Sequence, residues 1–151
     1  MKVREVSLRP GDALRVDHHG VHPAVVLWVK DEAVLVVCGT SRAYPGRDEV
    51  VVHPRSPAAT VLELPATTYF PSRGIAAITD PSLVVRVLGR RVPPQILHAL
   101  ELLVEKATSS FPNQTADLIK DLLDHMAAAG RAAREAKEAA SQVQAKVRDD
   151  G

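Results

Sequence analysis

The feature that most constrains the fold of this chain is a change of pattern at Pro93-Pro94. Before it, the residues are rich in Val, Pro and Gly and fall into short apolar or alternating runs. After it, the apolar residues recur every three or four positions. Short runs bounded by turn residues indicate β-strands, and the longer period indicates helices, so the chain reads as a β region followed by helices. Seven runs are expected as strands: Ala13–Val16, Pro23–Val29, Ala33–Cys38, Glu49–Val52, Thr60–Leu64, Gly74–Ile78 and Val84–Leu88. Proline dipeptides separate several of them, among them Pro45-Gly46, His53-Pro54, Ser56-Pro57 and Asp80-Pro81. Strands this short and this closely spaced imply a small barrel or sandwich. The expected class is α+β, mainly β with C-terminal helices.

Beyond Pro94, Ile96, Leu97, Leu100, Leu103, Val104 and Ala107 mark a first helix with proline in its first turn, and Pro112 interrupts it. A second helix follows, with Asn113 or Thr115 as candidate cap. Its small and apolar positions run from Leu118 through Leu122, Met126, Ala129, Ala133, Ala136, Ala140 and Val143 to Val147 in steps of four and three. Such a seam spans roughly 45 Å at about 1.5 Å per residue, and alanine buries little surface, so pairing with another helix and a solvated tail both remain open. The expected division is residues 1–108 for the β region with the first helix and 113–151 for the helical extension.

Composition excludes several classes. At 151 residues the chain suits one core, and with 46% hydrophobic but only 3% aromatic residues that core must be built from Val, Leu, Ile and Ala. One cysteine, Cys38, allows no intrachain disulfide, and inside VLVVCG it reads as a desolvated, inert thiol rather than a nucleophile. No leader and no apolar run of the roughly 18 residues a span needs is visible, so the expected location is cytoplasmic, with no membrane partner. Net charge is only +1, but residues 1–91 carry +3 and residues 92–151 carry −2. Arg42, Arg47, Arg55, Arg73, Arg86, Arg90 and Arg91 concentrate in the β region, which suits either a polyanionic partner or an ordinary solvated surface.

Chemistry concentrates in one hairpin. HPAVVLWV from His22 and AVLVVCGTS from Ala33 are joined at Lys30-Asp31-Glu32, and the second run ends in two hydroxyl residues, Thr40 and Ser41. A strand end that offers two hydroxyl donors and a turn backbone is a natural seat for a phosphate. His18, His19 and His22 cluster nearby without a convincing completing metal ligand, and adjacent turn histidines ordinarily mean exposure. No metal is expected. The glycines Gly39, Gly46, Gly74 and Gly89 are scattered singly, so there is no phosphate-cradling loop for a nucleotide and no cofactor is expected.

Gly11-Asp12, the strand from His22 to Leu27, the Thr40-Ser41 strand end, Ser72 followed by Ile75, Ile78 and Asp80, and the Leu83–Gly89 run together resemble the PemK/MazF family of toxins, over about residues 9 to 105. The resemblance implies an SH3-like β-barrel with short helices and a homodimer. It also implies metal-independent cleavage of single-stranded RNA within a toxin–antitoxin pair, with an antitoxin protein as second partner. Where active family members carry an arginine before the strand proline, this chain has His22; the hydroxyl position is kept by Thr40 and Ser41. A histidine near its ordinary pKa of about 6.5 can serve as base or acid, yet cannot replace a permanently charged, bidentate guanidinium on phosphate. Arg42 is the candidate for that charge. His22, Thr40, Ser41 and Arg42 are thus the expected catalytic set, and Arg47, Arg73 and Tyr69 the expected RNA contacts, with interface packing as the other role for Tyr69. A noncatalytic barrel that binds nucleic acid or a protein, assembled through its C-terminal helix, is the alternative.

Overall fold

The structure, a computed structural model, describes residues 7–43, 48–107 and 111–149, with side chains described to residue 142. The expected class holds: the described residues form an antiparallel five-stranded sheet, a two-stranded sheet and helices. The chain divides into two units, residues 1–119 and 120–151, and the second unit is helical.

In the first unit, β1 (Asp12–Asp17), β2 (Val21–Lys30) and β3 (Ala33–Cys38) form a meander, followed by β4 (Glu49–Val52), α1 (Pro57–Leu62), β5 (Thr68–Pro71), β6 (Ile75–Ile78), β7 (Val84–Arg91) and α2 (Pro94–Lys106). Helix α3 begins at Asn113 and runs to Asp149. Strand order in the large sheet is β6-β3-β2-β1-β7, and β4 pairs with β5 in the small one. The β2–β3 hairpin turns where the sequence indicates, with Asp31 in the left-handed region at φ 55°, a conformation that Asp tolerates better than most residues. Bulges near Ala13 and between Arg15 and Val16 on β1, and between Val26 and Trp28 on β2, bend the sheet and sharpen its twist.

Valine dominates the strands and is buried on both faces. Leu14, Val16, Ala24, Val26, Val34, Val36, Cys38 and Ile78 form one cluster that Leu8 joins, with Leu83, Val84 and Val87 packed against it. On alternate positions Ala13, Val25, Leu27, Leu35 and Val37 are fully buried as well. Helix α1 packs against β1 and β7, and α2 against β2 and β4. A strand buried on both faces reads as a continuous apolar run rather than an alternating one, and VLVVC is such a run.

One expected strand is wrong, and another was not expected. Thr60–Leu64 is not a strand: Thr60 to Leu62 close α1, whose start at Ser56-Pro57 combines an N-cap with proline in the first turn. The Ser56 hydroxyl accepts from Ala59 N at 3.2 Å, and Glu63, in the left-handed region, closes the helix by donating its N–H to the Ala59 and Thr60 carbonyls. These two caps outweigh the weak β preference of Thr-Val-Leu. The strand that pairs with β4 is instead Thr68–Pro71, in register Val50↔Phe70 and Val52↔Thr68. Asn113 opens α3, and Thr115 lies within its first turn, buried, rather than capping it.

In the second unit, α3 continues from Lys120, and its side chains from Ala127 to Gln142 are exposed. No helix of the described residues is long and apolar enough to cross a membrane.

Candidate active site

The β1–β2 turn and the end of β3 are neighbours in the sheet because the register pairs Val16 with His22 and Ala24 with Cys38. The turn between them is tight. His19 takes φ 55° and Gly20 φ 110°, and His18 N donates to the Gly20 carbonyl at 2.9 Å. Three imidazoles are therefore delivered to one corner, with the His18 and His19 rings 4.7 Å apart and tilted by 58°.

Gly39 and Thr40, just past β3, are held from both sides. Gly39 N donates to the Pro23 carbonyl at 2.7 Å, which stitches the segment to β2. Thr40 forms an isolated antiparallel bridge with Tyr69, in which each N–H donates to the other's carbonyl at 2.8 Å. Only glycine fits at position 39, because a Cβ there would come within 2.8 Å of Thr68 Cγ2 and 2.9 Å of the Phe70 ring. Gly74 is equally constrained: a Cβ would drive into the Cys38 carbonyl oxygen. These close approaches bring the 3-10 turn Ser72–Gly74, and with it Arg73, against the end of β3.

The result is a cavity of about 270 Å³ lined by His18, His19, His22, Thr40 and Arg73, with Cys38, Gly39, Pro71 and Gly74 completing its wall. His22 Nδ1 lies 3.1 Å from the Gly39 carbonyl. Since a carbonyl oxygen only accepts, Nδ1 carries the hydrogen and donates it, so Nε2 is the ring atom left to exchange a proton. The Thr40 hydroxyl oxygen accepts from Arg42 N at 3.3 Å, which leaves its own hydrogen to be donated elsewhere. His18 is held below the ordinary histidine pKa, first by burial and then by the charges on His19 and His22. Burial pushes the Cys38 thiol up to about 12, so it stays protonated and unreactive as the apolar run implies.

Of the residues expected from the sequence, His22, Thr40 and Arg73 meet at this cavity. Ser41 and Arg42 are exposed just beyond Thr40 and do not line it; Tyr69 is half-buried and meets Thr40 through the backbone. Arg47 lies outside the described residues. His18 and His19 were not among the expected site residues, although the signal was present: three histidines within five positions, two of them directly before the turn glycine. Gly39 and Gly74 carried no local signal, because what forbids a side chain at each is a neighbour distant in sequence. Among the described residues, no group of three or more His, Cys, Asp or Glu side chains is placed to hold a metal ion.

No protein-family model matches the chain, and no curated protein matches its sequence. Among solved structures, the chain is similar to an endoribonuclease in complex with its cognate antitoxin from a mycobacterial species. The similarity has a TM-score of 0.49 and 18% sequence identity, and it covers 70% of this chain and 100% of that one.

Proposed function

We propose that this chain is a toxin-like endoribonuclease that cleaves single-stranded RNA without a metal ion, with the cavity at the end of β3 as its active site. The observation that carries the reading is the convergence of His22, Thr40 and Arg73 on one cavity, with the His22 ring anchored through Nδ1 and its Nε2 left available. RNA cleavage by its own 2′-hydroxyl needs three things: a group that moves protons near neutral pH, a donor to the phosphate oxygens as charge builds, and a cation beside them. His22 supplies the first and the Thr40 hydroxyl the second. Arg73 supplies the third, and its guanidinium takes over the phosphate-holding role that the sequence assigned to Arg42. Arg42 and Ser41, exposed beside the cavity, then meet the RNA backbone on its way in, and Tyr69 offers a ring for a flanking base. The protein partners that fit this reading are an antitoxin that occludes the cavity and a second copy of the chain.

Incubation with single-stranded RNA in EDTA tests the reading. The expected products end in a 2′,3′-cyclic phosphate on one side and a 5′-hydroxyl on the other. RNA that is bound and left whole would establish the noncatalytic binding module instead.

A further inference from the structure

Two further imidazoles share the cavity with His22, and the proposed cleavage requires two proton transfers. Resting on that reading of the site, we propose that His18 and His22 divide these transfers: His18 takes the proton of the 2′-hydroxyl, and His22 delivers a proton to the departing 5′-oxygen. In balanced form, the 2′-oxygen forms a bond to phosphorus as its hydrogen passes to His18. The bond from phosphorus to the 5′-oxygen breaks, and that oxygen leaves as a hydroxyl carrying the hydrogen from His22 Nε2. The products are a 2′,3′-cyclic phosphate and a 5′-hydroxyl end, and the two histidines exchange protonation states. DNA, which lacks the 2′-hydroxyl, is bound but not cut.

The division of roles follows from the surroundings of the two rings. His18 is half-buried, and its pKa is lowered by burial and by the charges on its neighbours, so near neutral pH it holds the unprotonated form a base must have. His22 is fixed by the Nδ1–H bond to the Gly39 carbonyl, a bond that both the neutral and the charged ring can make, so it keeps its aim in whichever state it holds. The groups around His18 narrow the assignment. His19 and His22 come from its own hairpin, Asp17 precedes it at the exposed end of β1, and Cys38 and Arg73 line the same cavity from β3 and the 3-10 turn. Burial keeps the Cys38 thiol neutral, and the cavity lining includes no carboxylate among the described residues, so the imidazoles are the side chains there suited to moving a proton. His19, exposed and in the left-handed region, props its ring against His18 and transfers no proton in this scheme.

The test compares ordinary RNA with RNA whose scissile 5′-oxygen is replaced by sulfur, a leaving group that needs no acid, in EDTA across about pH 5 to 9. The wild-type rate on ordinary RNA should trace a bell, with the acidic limb from His18 and the alkaline limb from His22, and the alkaline limb should vanish on the sulfur substrate. His22→Gln should lose about 10²- to 10⁴-fold on ordinary RNA and regain near wild-type rate on the sulfur substrate. His18→Gln should lose a similar factor on both and lose the acidic limb, while binding of an uncleavable 2′-deoxy oligonucleotide, measured by anisotropy, is retained. His19→Gln should keep both limbs on ordinary RNA, with the acidic limb moved to higher pH because a charge that lowers the His18 pKa is gone. Wild-type cleavage of ordinary RNA with an alkaline limb that persists on the sulfur substrate overturns the assignment without any variant, as does full activity in His18→Gln. Wild-type protein that binds RNA but never cuts it overturns the ribonuclease reading itself, and this assignment with it.

Discussion

The β2–β3 hairpin has a cavity at each end, and the larger is the less suited to chemistry. At the turn end, Lys30, Asp31, Glu32 and Ala33 meet Thr79, Gln114, Asp117 and Leu118 around a space of about 450 Å³. At the open end, the three histidines, Thr40 and Arg73 surround about 270 Å³. The first wall carries three carboxylates against one ammonium, and a surface of this kind repels phosphate. The second carries three imidazoles, a hydroxyl with its hydrogen to give, and a guanidinium. What separates the two is side-chain chemistry held at fixed positions; volume has little to say about it.

The sharpest way to break this contrast is at Thr40. Thr40→Ala removes the hydroxyl while leaving the backbone bridge to Tyr69, so RNA cleavage should fall by about 10²- to 10³-fold, the usual cost of one transition-state donor, with the melting temperature little changed. An unaltered rate in a steady-state assay would take Thr40 out of the site.

Next in size is Gly74→Ala, which forces a Cβ into the Cys38 carbonyl. The backbone must shift, so the variant should lose on the order of 1–3 kcal/mol of stability in urea denaturation, together with activity as Arg73 moves. Equal stability would mean that the Ser72–Gly74 turn is not pressed against β3.

Stability against pH should show both perturbed groups at the open end. Cys38 is raised from 9.0 to about 12, so the unfolded chain ionises first and the contribution of its neutral thiol, complete below pH 9, is lost as pH climbs toward 12. For His18 the folded value is the lower one, so its contribution is present above the ordinary value of about 6.5 and is lost as pH falls through the folded value. Urea midpoints recorded across the range should therefore decline on both sides; Cys38→Ala should flatten the alkaline side and His18→Gln the acidic one.

The smallest expected effect belongs to the turn end. Asp117→Asn should change stability by no more than about 0.5 kcal/mol and leave cleavage unchanged. A large loss of activity there would abolish the contrast between the two cavities.

The sequence made much of the sheet legible, because a strand buried on both faces writes itself as an unbroken apolar run and a hairpin turn writes itself in charged and turn residues. Six of the seven expected strands and both helices after Pro93 lie where the pattern puts them. The failure at Thr60–Leu64 was local and avoidable, since Ser56-Pro57 is a helix start that the β-prone residues after it concealed. The failure at Thr68–Pro71 was not avoidable in the same way. Thr-Tyr-Phe-Pro is short and ends in a residue with no N–H, and it becomes a strand by pairing with β4 and, through Tyr69, with Thr40.

His22 and Thr40 could be named from the chain alone because hairpin register relates two strands that are neighbours in sequence. That Arg73 rather than Arg42 reaches the same cavity as His22, and that His18 belongs there too, was decided by the tertiary structure. The placement of Arg73 depends on Gly39 and Gly74 letting segments some thirty residues apart in sequence approach to van der Waals contact. Periodicity and capping act within a few residues and leave a trace in the sequence, whereas close packing between distant segments is a property of the pair and leaves none in either segment by itself.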